Sequence, residues 1–97
     1  MPNRAIELTP QAQDDWISIW DYGIANWSAK TAKSYYNAIA DRIEALALGA
    51  IIGFPVPSYP GLLKSPTGSH VIYYRLSNST LLVMRILHHS MDTDRNL

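Results

Sequence analysis

Apolar residues from Ala12 to Trp27 recur at spacings of three and four (Ala12, Trp16, Ile19, Trp20, Gly23, Ile24, Trp27), while Gln11, Asp14, Asp15, Ser18 and Asp21 fall elsewhere on the wheel. That periodicity predicts an amphipathic helix with its apolar stripe turned inward. Thr9-Pro10 supplies its start: a capping hydroxyl, then a proline at the first helical position, where the missing N–H costs nothing. The pattern breaks over Asn26 to Ala29. Ser28 can cap a second helix, carried by Ala32, Tyr35, Tyr36, Ile39, Ile43, Leu46 and Ala47 until Gly49 provides a left-handed stop. The short connection predicts an antiparallel helical hairpin. The tryptophan stripe is expected to form core between that hairpin and a sheet.

The rest of the chain has a different rhythm. Residues 3 to 8 are extended in character. The stretch from Gly49 to Gly68 carries four prolines and four glycines, which excludes a long regular element and predicts an ordered loop with a short edge strand around Leu62 to Lys64. HVIYYRL (70–76) and TLLVMRIL (80–87) are rich in branched and aromatic residues and flank Ser77-Asn78-Ser79, the signature of a β-hairpin. The expected fold is therefore α+β: an N-terminal strand, then an antiparallel helical hairpin packed on one face of a small antiparallel β-sheet. Strict alternation places Ile72, Tyr74, Leu76, Leu81, Val83 and Leu87 on one face with His70 and Arg85. Val71, Tyr73, Leu82, Met84 and Ile86 then share the other with Arg75 and His88. Two helices cover one face, so an apolar face is left over, and such a face implies a partner.

Ninety-seven residues, 47% of them apolar, fit a single domain over 1–97. Eight basic and eight acidic residues cancel, which argues against bulk attraction to nucleic acid or an anionic membrane, and no sequence-specific nucleic-acid contact is expected. The distribution is less even. No carboxylate occurs between Ala45 and Met91, whereas Lys64, Arg75, Arg85 and all three histidines lie there. The absence of cysteine excludes disulfides and thiolate metal sites. The opening MPNRAIELT has no signal-peptide pattern and no apolar run is long enough to span a bilayer, so a cytoplasmic location is expected.

The sequence resembles the ParE branch of the RelE/ParE toxin superfamily, the toxin halves of bacterial type II toxin–antitoxin pairs. LTPQAQDDWISIWDYGIANW is similar to the family's first helix and TAKSYYNAIADRIEALA to its second. The most specific match is GSHVIYYRLSNSTLLVMRILHHSMD, with Gly68, His70, Tyr74 and Arg75, then Arg85, Ile86, Leu87, His88, Met91 and Asp92. One departure stands out: Gly61-Leu62 is followed by Leu63 and Lys64, where relatives usually carry an arginine. The resemblance implies a ParD-like antitoxin that lays an acidic amphipathic segment over the toxin, with DNA gyrase as the target. Under it, Lys64, His70, Ile72, Tyr74, Arg75, Val83 and Arg85 are candidate antitoxin contacts. Arg85, His88, His89, Met91 and Asp92 are the candidate target-contact end.

Chemistry sets two alternatives beside this reading. The sister RelE branch cleaves messenger RNA on the ribosome, which needs groups that move protons and stabilise a phosphorane. Lys64, Arg75, Arg85, Tyr73, Tyr74 and the histidines are raw material for that, but no tyrosine follows Tyr74 and Lys64 stands alone, so no catalytic residue is assigned. A non-toxic, antitoxin-binding family member is the third reading. The stem of Arg85 can cover apolar surface while its guanidinium reaches the rim or pairs with a carboxylate such as Glu7 or Asp92; the resemblance implies instead an anchor for an antitoxin carboxylate. His88, His89 and Asp92 lack a fourth ligand, so neither metal nor cofactor is expected.

Overall fold

The computed structural model describes residues 3–91 and 96–97. Strand β1 (Ala5–Leu8) leads into helix α1 (Pro10–Asn26), followed by α2 (Ala29–Leu48), β2 (Phe54–Pro55), β3 (Leu63–Thr67), β4 (His70–Leu76) and β5 (Thr80–His88). The helix ends form as their sequences dictate. Thr9 Oγ1 accepts the Ala12 N–H, Ser28 accepts that of Thr31, and Gly49 stops α2 in the left-handed region at φ 76°. Among the described residues no helix is long and apolar enough to cross a membrane.

The five strands form one sheet in the order β1-β5-β4-β3-β2. The expected α+β class holds, but the sheet is mixed, because β1 runs parallel to β5, with Ile6 opposite Leu81 and Leu8 opposite Val83. An all-antiparallel sheet was expected. The helical hairpin between the first and last strands carries the chain across the sheet, and a crossover of that length permits parallel pairing.

Alternation along β5 is broken once. Tyr73 pairs with Arg85 but Tyr74 with Val83, leaving Met84 as an extra residue, a β-bulge. Beyond it every side chain changes face relative to the strict alternation expected from the sequence. Ile86 joins Ile72, Tyr74, Leu81 and Val83 under the helices, against Ala12, Ile19, Ile39, Ile43, Leu46 and Ala47. Leu87 joins Tyr73 on the opposite face, and His88 faces His70.

That opposite face is not left over. Val56 and Leu62, from the proline-rich segment, bury against Tyr73 and Leu87, with Tyr59, Val71 and Met84 packed around them. The loop holds its shape through backbone hydrogen bonds from Val56 N to Leu62 O, Tyr59 N to Val56 O and Leu62 N to Tyr59 O. A loop with so many prolines has few free donors to satisfy, which lets it serve as a lid on a second, smaller core. The partner once required by an uncovered sheet is therefore not required by this sheet.

The tryptophans also depart from expectation. The buried α1 residues are small or branched, Ala12 and Ile19 in the core against the sheet and Gly23 facing α2, while the rings pair with tyrosines of α2 and only Trp16 also packs on that core. Trp16 stacks on Tyr36 with centroids 3.6 Å apart, Trp20 meets the same ring edge-on at 5.1 Å, and Trp27 is 38% exposed. Gly23 explains the close approach: a Cβ there would lie 3.1 Å from Ala32 Cβ and 3.3 Å from the Trp27 ring.

The β3–β4 turn is bound to α2 by one tyrosine. Gly68 sits at φ 57°, and a Cβ on it would come 2.6 Å from the Tyr35 ring. Gly68→Ala is expected to cost about 2 kcal/mol or more, combining left-handed backbone strain with overpacking. The midpoint of urea unfolding, compared with wild type, measures it.

Candidate functional site

Bulging β5 leaves backbone groups outside the ladder, and α1 satisfies them with two side chains. The Thr9 hydroxyl donates to the Met84 carbonyl at 2.7 Å, while Asp15 Oδ2 accepts the Ile86 N–H at 2.9 Å. The same carboxylate takes a bidentate pair from Arg85, Nε to Oδ2 at 2.8 Å and Nη2 to Oδ1 at 2.9 Å. Arg85 Nη1 donates onward to the Asn96 carbonyl at 2.7 Å. The arginine in the apolar strand is thus an internal fastener. Its charge is held by the hydrogen bonds and field of Asp15 against a smaller desolvation cost.

This arrangement corrects several expectations. Arg85 pairs with Asp15 rather than with Glu7, and its fork is occupied rather than open to an antitoxin carboxylate. Asp15 was assigned to the polar side of α1; no sequence periodicity distinguishes a solvated aspartate from one facing a strand bulge. Ile72, Tyr74 and Val83 are fully buried core and offer no contact surface. Tyr74 is further held by Gly53, whose N–H donates to the phenol oxygen at 2.9 Å; burial nevertheless raises the Tyr74 pKa. Lys64 is half-buried, opposite Tyr73 and Phe54. Arg75 is exposed and donates to the Pro60 carbonyl at 3.0 Å. Asp92 lies outside the described residues.

What the structure brings together is a histidine cluster at one end of the sheet. His70 and His88 are register partners with ring centroids 5.5 Å apart, and His89 lies 4.4 Å beyond His88. Tyr35 fixes His70. Its hydroxyl accepts the Ser69 N–H at 2.9 Å and shares a second hydrogen bond with His70 Nδ1 at 2.6 Å. Ser90 does the same for His88, its N–H donating to Nδ1 at 3.2 Å. Burial, then the fields of His88 and His89, push the His70 pKa below its ordinary 6.5, with Asp15 acting weakly the other way.

His70 and His88 border a groove of about 490 Å³ between α1 and the ends of β4 and β5. Ile19, Tyr22, Trp27, Ile86 and Met91 make its walls apolar; Met91 is 48% and Tyr22 61% exposed. Of the residues assigned to a target-contact end, His88 and Met91 line this groove, and His89 lies beside His88. Among the described residues no group of three His, Asp or Glu is arranged to hold a metal ion.

A family model described as "ParE toxin of type II toxin-antitoxin system, parDE" matches residues 6–93. Toxin ParE1 of Mycobacterium tuberculosis is 36% identical over 92 residues, covering 93% of this chain and 94% of the relative. Toxin ParE1 of Caulobacter vibrioides is 30% identical over 95 residues, covering 97% and 98%. Among solved structures, a chain of the chromosomal ParDE TA system from P. aeruginosa superposes with a TM-score of 0.74 at 16% identity, covering 91% of this chain and 98% of the other. A chain of the E. coli DinJ-YafQ toxin-antitoxin complex gives 0.60 at 15% identity, covering 91% and 94%. At those identities the structural likeness is one of fold.

Two outcomes follow from the pair and the cluster. Asp15→Ala strands Arg85 and the Ile86 N–H together and is expected to cost about 3 kcal/mol, while Arg85→Lys, which loses the fork, costs less; urea titration of both variants reads the difference. For His70, a folded pKa below the unfolded value means that the unfolded chain binds more protons on acidification. Its contribution to stability is complete above 6.5 and is lost as the pH falls through the folded value. Between about pH 7.5 and about pH 5.5, wild type should lose more unfolding free energy than His70→Asn.

Proposed function

The chain belongs to the ParE toxin family of type II toxin–antitoxin systems, and from that premise we propose that it arrests growth by contact with DNA gyrase and is neutralised by a ParD-like antitoxin. The observation that carries the reading is the family match over residues 6–93 together with relatives that share more than nine-tenths of their length with this chain. In this reading the protein acts in the cytoplasm as a binding partner, without catalysis. His88, His89 and Met91 form the target-contact end, and Lys64, His70 and Arg75 contribute antitoxin contacts from the side that lacks carboxylates. Arg85 acts indirectly, by fixing β5 and hence the strand end that carries those residues.

One observation favours a second reading. Two imidazoles 5.5 Å apart at the mouth of a groove are an acid–base pair in waiting, the raw material of a ribosome-dependent RNase. Purified components separate the two. A gyrase poison blocks supercoiling or accumulates cleaved DNA with no ribosome present, whereas an RNase of the RelE type leaves gyrase untouched and cuts messenger RNA on translating ribosomes. A family member without toxicity does neither and fails to stop growth when its expression is induced.

Arg85→Ala is a poor probe of contact because it also unfastens α1 from β5. The exposed pair His89→Ala/Met91→Ala is a better one. It should leave the melting temperature unchanged and raise the concentration needed to inhibit gyrase about tenfold or more, the loss expected for removing one interface anchor. Unchanged inhibition by the double variant places the contact elsewhere.

A further inference from the structure

The folded chain sets a thioether beside two imidazoles that lie far apart in the sequence. His70, at the start of β4, and Met91, just past β5, line the same groove as His88. Pairing of β4 with β5 puts His70 opposite His88, and a turn closed by the Met91 N–H on the His88 carbonyl at 2.9 Å keeps Met91 at that end. Two imidazoles that share one ion at about 2.0 Å from each nitrogen have ring centres roughly 5 to 6 Å apart. Those of His70 and His88 are 5.5 Å apart. Each ring has Nδ1 committed, to Tyr35 and to Ser90, which leaves Nε2 as the ligating atom. Among the described residues no third His, Asp or Glu completes a site with these two, so the third donor is the sulfur.

That donor set selects the ion. Two neutral nitrogens and a thioether carry no negative charge, and the carboxylate in the lining, Asp15, has both oxygens engaged by Arg85 and by the Ile86 N–H. Mg²⁺ and Ca²⁺ require oxygen ligands that this set does not offer, and a structural Zn²⁺ requires a fourth protein ligand. A dication would also stand uncompensated against the apolar walls formed by Ile19 and Ile86. Thioether sulfur favours Cu(I), which brings a single charge. We propose that His70 Nε2, His88 Nε2 and Met91 Sδ form a three-coordinate site for Cu(I) at the mouth of the groove. The site stands whether or not the target is gyrase.

Coordination at Nε2 places the ring proton on Nδ1. The neighbouring hydroxyls permit that, because a hydroxyl accepts as readily as it donates: the Tyr35 oxygen lies 2.6 Å from His70 Nδ1 and Ser90 Oγ 2.7 Å from His88 Nδ1. The contact given up is the longer one, from the Ser90 N–H to His88 Nδ1 at 3.2 Å. No electron moves, since the ion is bound and released as Cu(I). Occupancy ties the start of β4 to the turn beyond β5, which stabilises the folded chain. It also withdraws His88 and Met91 from contact with another protein.

The test is anaerobic titration of the purified chain with Cu(I) held by a chromophoric chelator, in the presence of ascorbate. The expected result is transfer of one Cu(I) per chain and a higher melting temperature with the ion bound. In NMR spectra of the wild-type protein the His70 and His88 ring protons and the Met91 methyl should move together. Met91→Leu, which keeps the bulk of a half-exposed side chain, should weaken Cu(I) binding about tenfold or more without altering the metal-free melt. His70→Asn should weaken it as much, whereas His89→Ala should leave the affinity within about twofold of wild type. Full affinity in Met91→Leu, or affinity that depends on His89 and not on His70, assigns the ion to the adjacent rings of His88 and His89 and overturns the proposal. So does the absence of transfer, or weak uptake of several ions with the Met91 methyl unmoved.

Discussion

The bulge at Met84 is the constraint on which the rest of the structure depends. It frees the Met84 carbonyl and the Ile86 N–H on an edge that β1 no longer covers, since β1 pairs only as far as Val83. In a protein of this size two unsatisfied backbone groups beside the core are a serious cost. Thr9 and Asp15, six residues apart across the first turns of α1, remove that cost together. Doing so fixes the height and rotation of α1 on the sheet. Arg85 then neutralises the carboxylate that the bulge recruited. The fork, the cap and the bulge are one device, and the position of the histidine end follows from it, because the parity change turns His88 toward His70 and the groove.

Much of the fold was legible because its signals are local. Thr9-Pro10, Ser28 and Gly49 are caps whose chemistry acts within one helical turn, and the hairpin around Asn78-Ser79 is bounded by β-rich segments on both sides. What was not legible depends on distant partners. No local property of LLVMRIL announces that one residue is extra, so the strand's second half was placed on the wrong faces. The proline-rich loop gave no hint that Val56 and Leu62 return to bury Tyr73 and Leu87, because their spacing fits no regular period. The tryptophan stripe was correctly placed on one side of α1, but periodicity cannot distinguish a helix–sheet boundary from a helix–helix seam. Asp15 was overlooked for the same reason: its partner is 70 residues away.

The candidate site was half legible. Of the residues singled out from the strand end, His88 and Met91 line one groove and His89 lies beside His88. The inference from an uncovered sheet to a necessary partner did not survive, since the loop seals the far face and Arg85 is internally paired. The case for an antitoxin now stands on family membership. The chemistry of the groove also differs from what was first expected: imidazoles held in place by Tyr35 and Ser90 border it, and the guanidinium of Arg85 is already engaged by Asp15.

The pairing of the first strand with the last has a further consequence for how such a chain comes into being. Residues 5 to 8 find their hydrogen-bond partners at residues 80 to 83, and α1 is fastened to residues 84 to 86. Contacts this distant along the polypeptide close only after nearly everything between them has been made. On the ribosome, therefore, the helical hairpin emerges with no sheet to dock on, and the histidine end cannot be assembled until residues 80 to 88 have followed it. A chain cut short before residue 80 lacks the strand that organises all the rest.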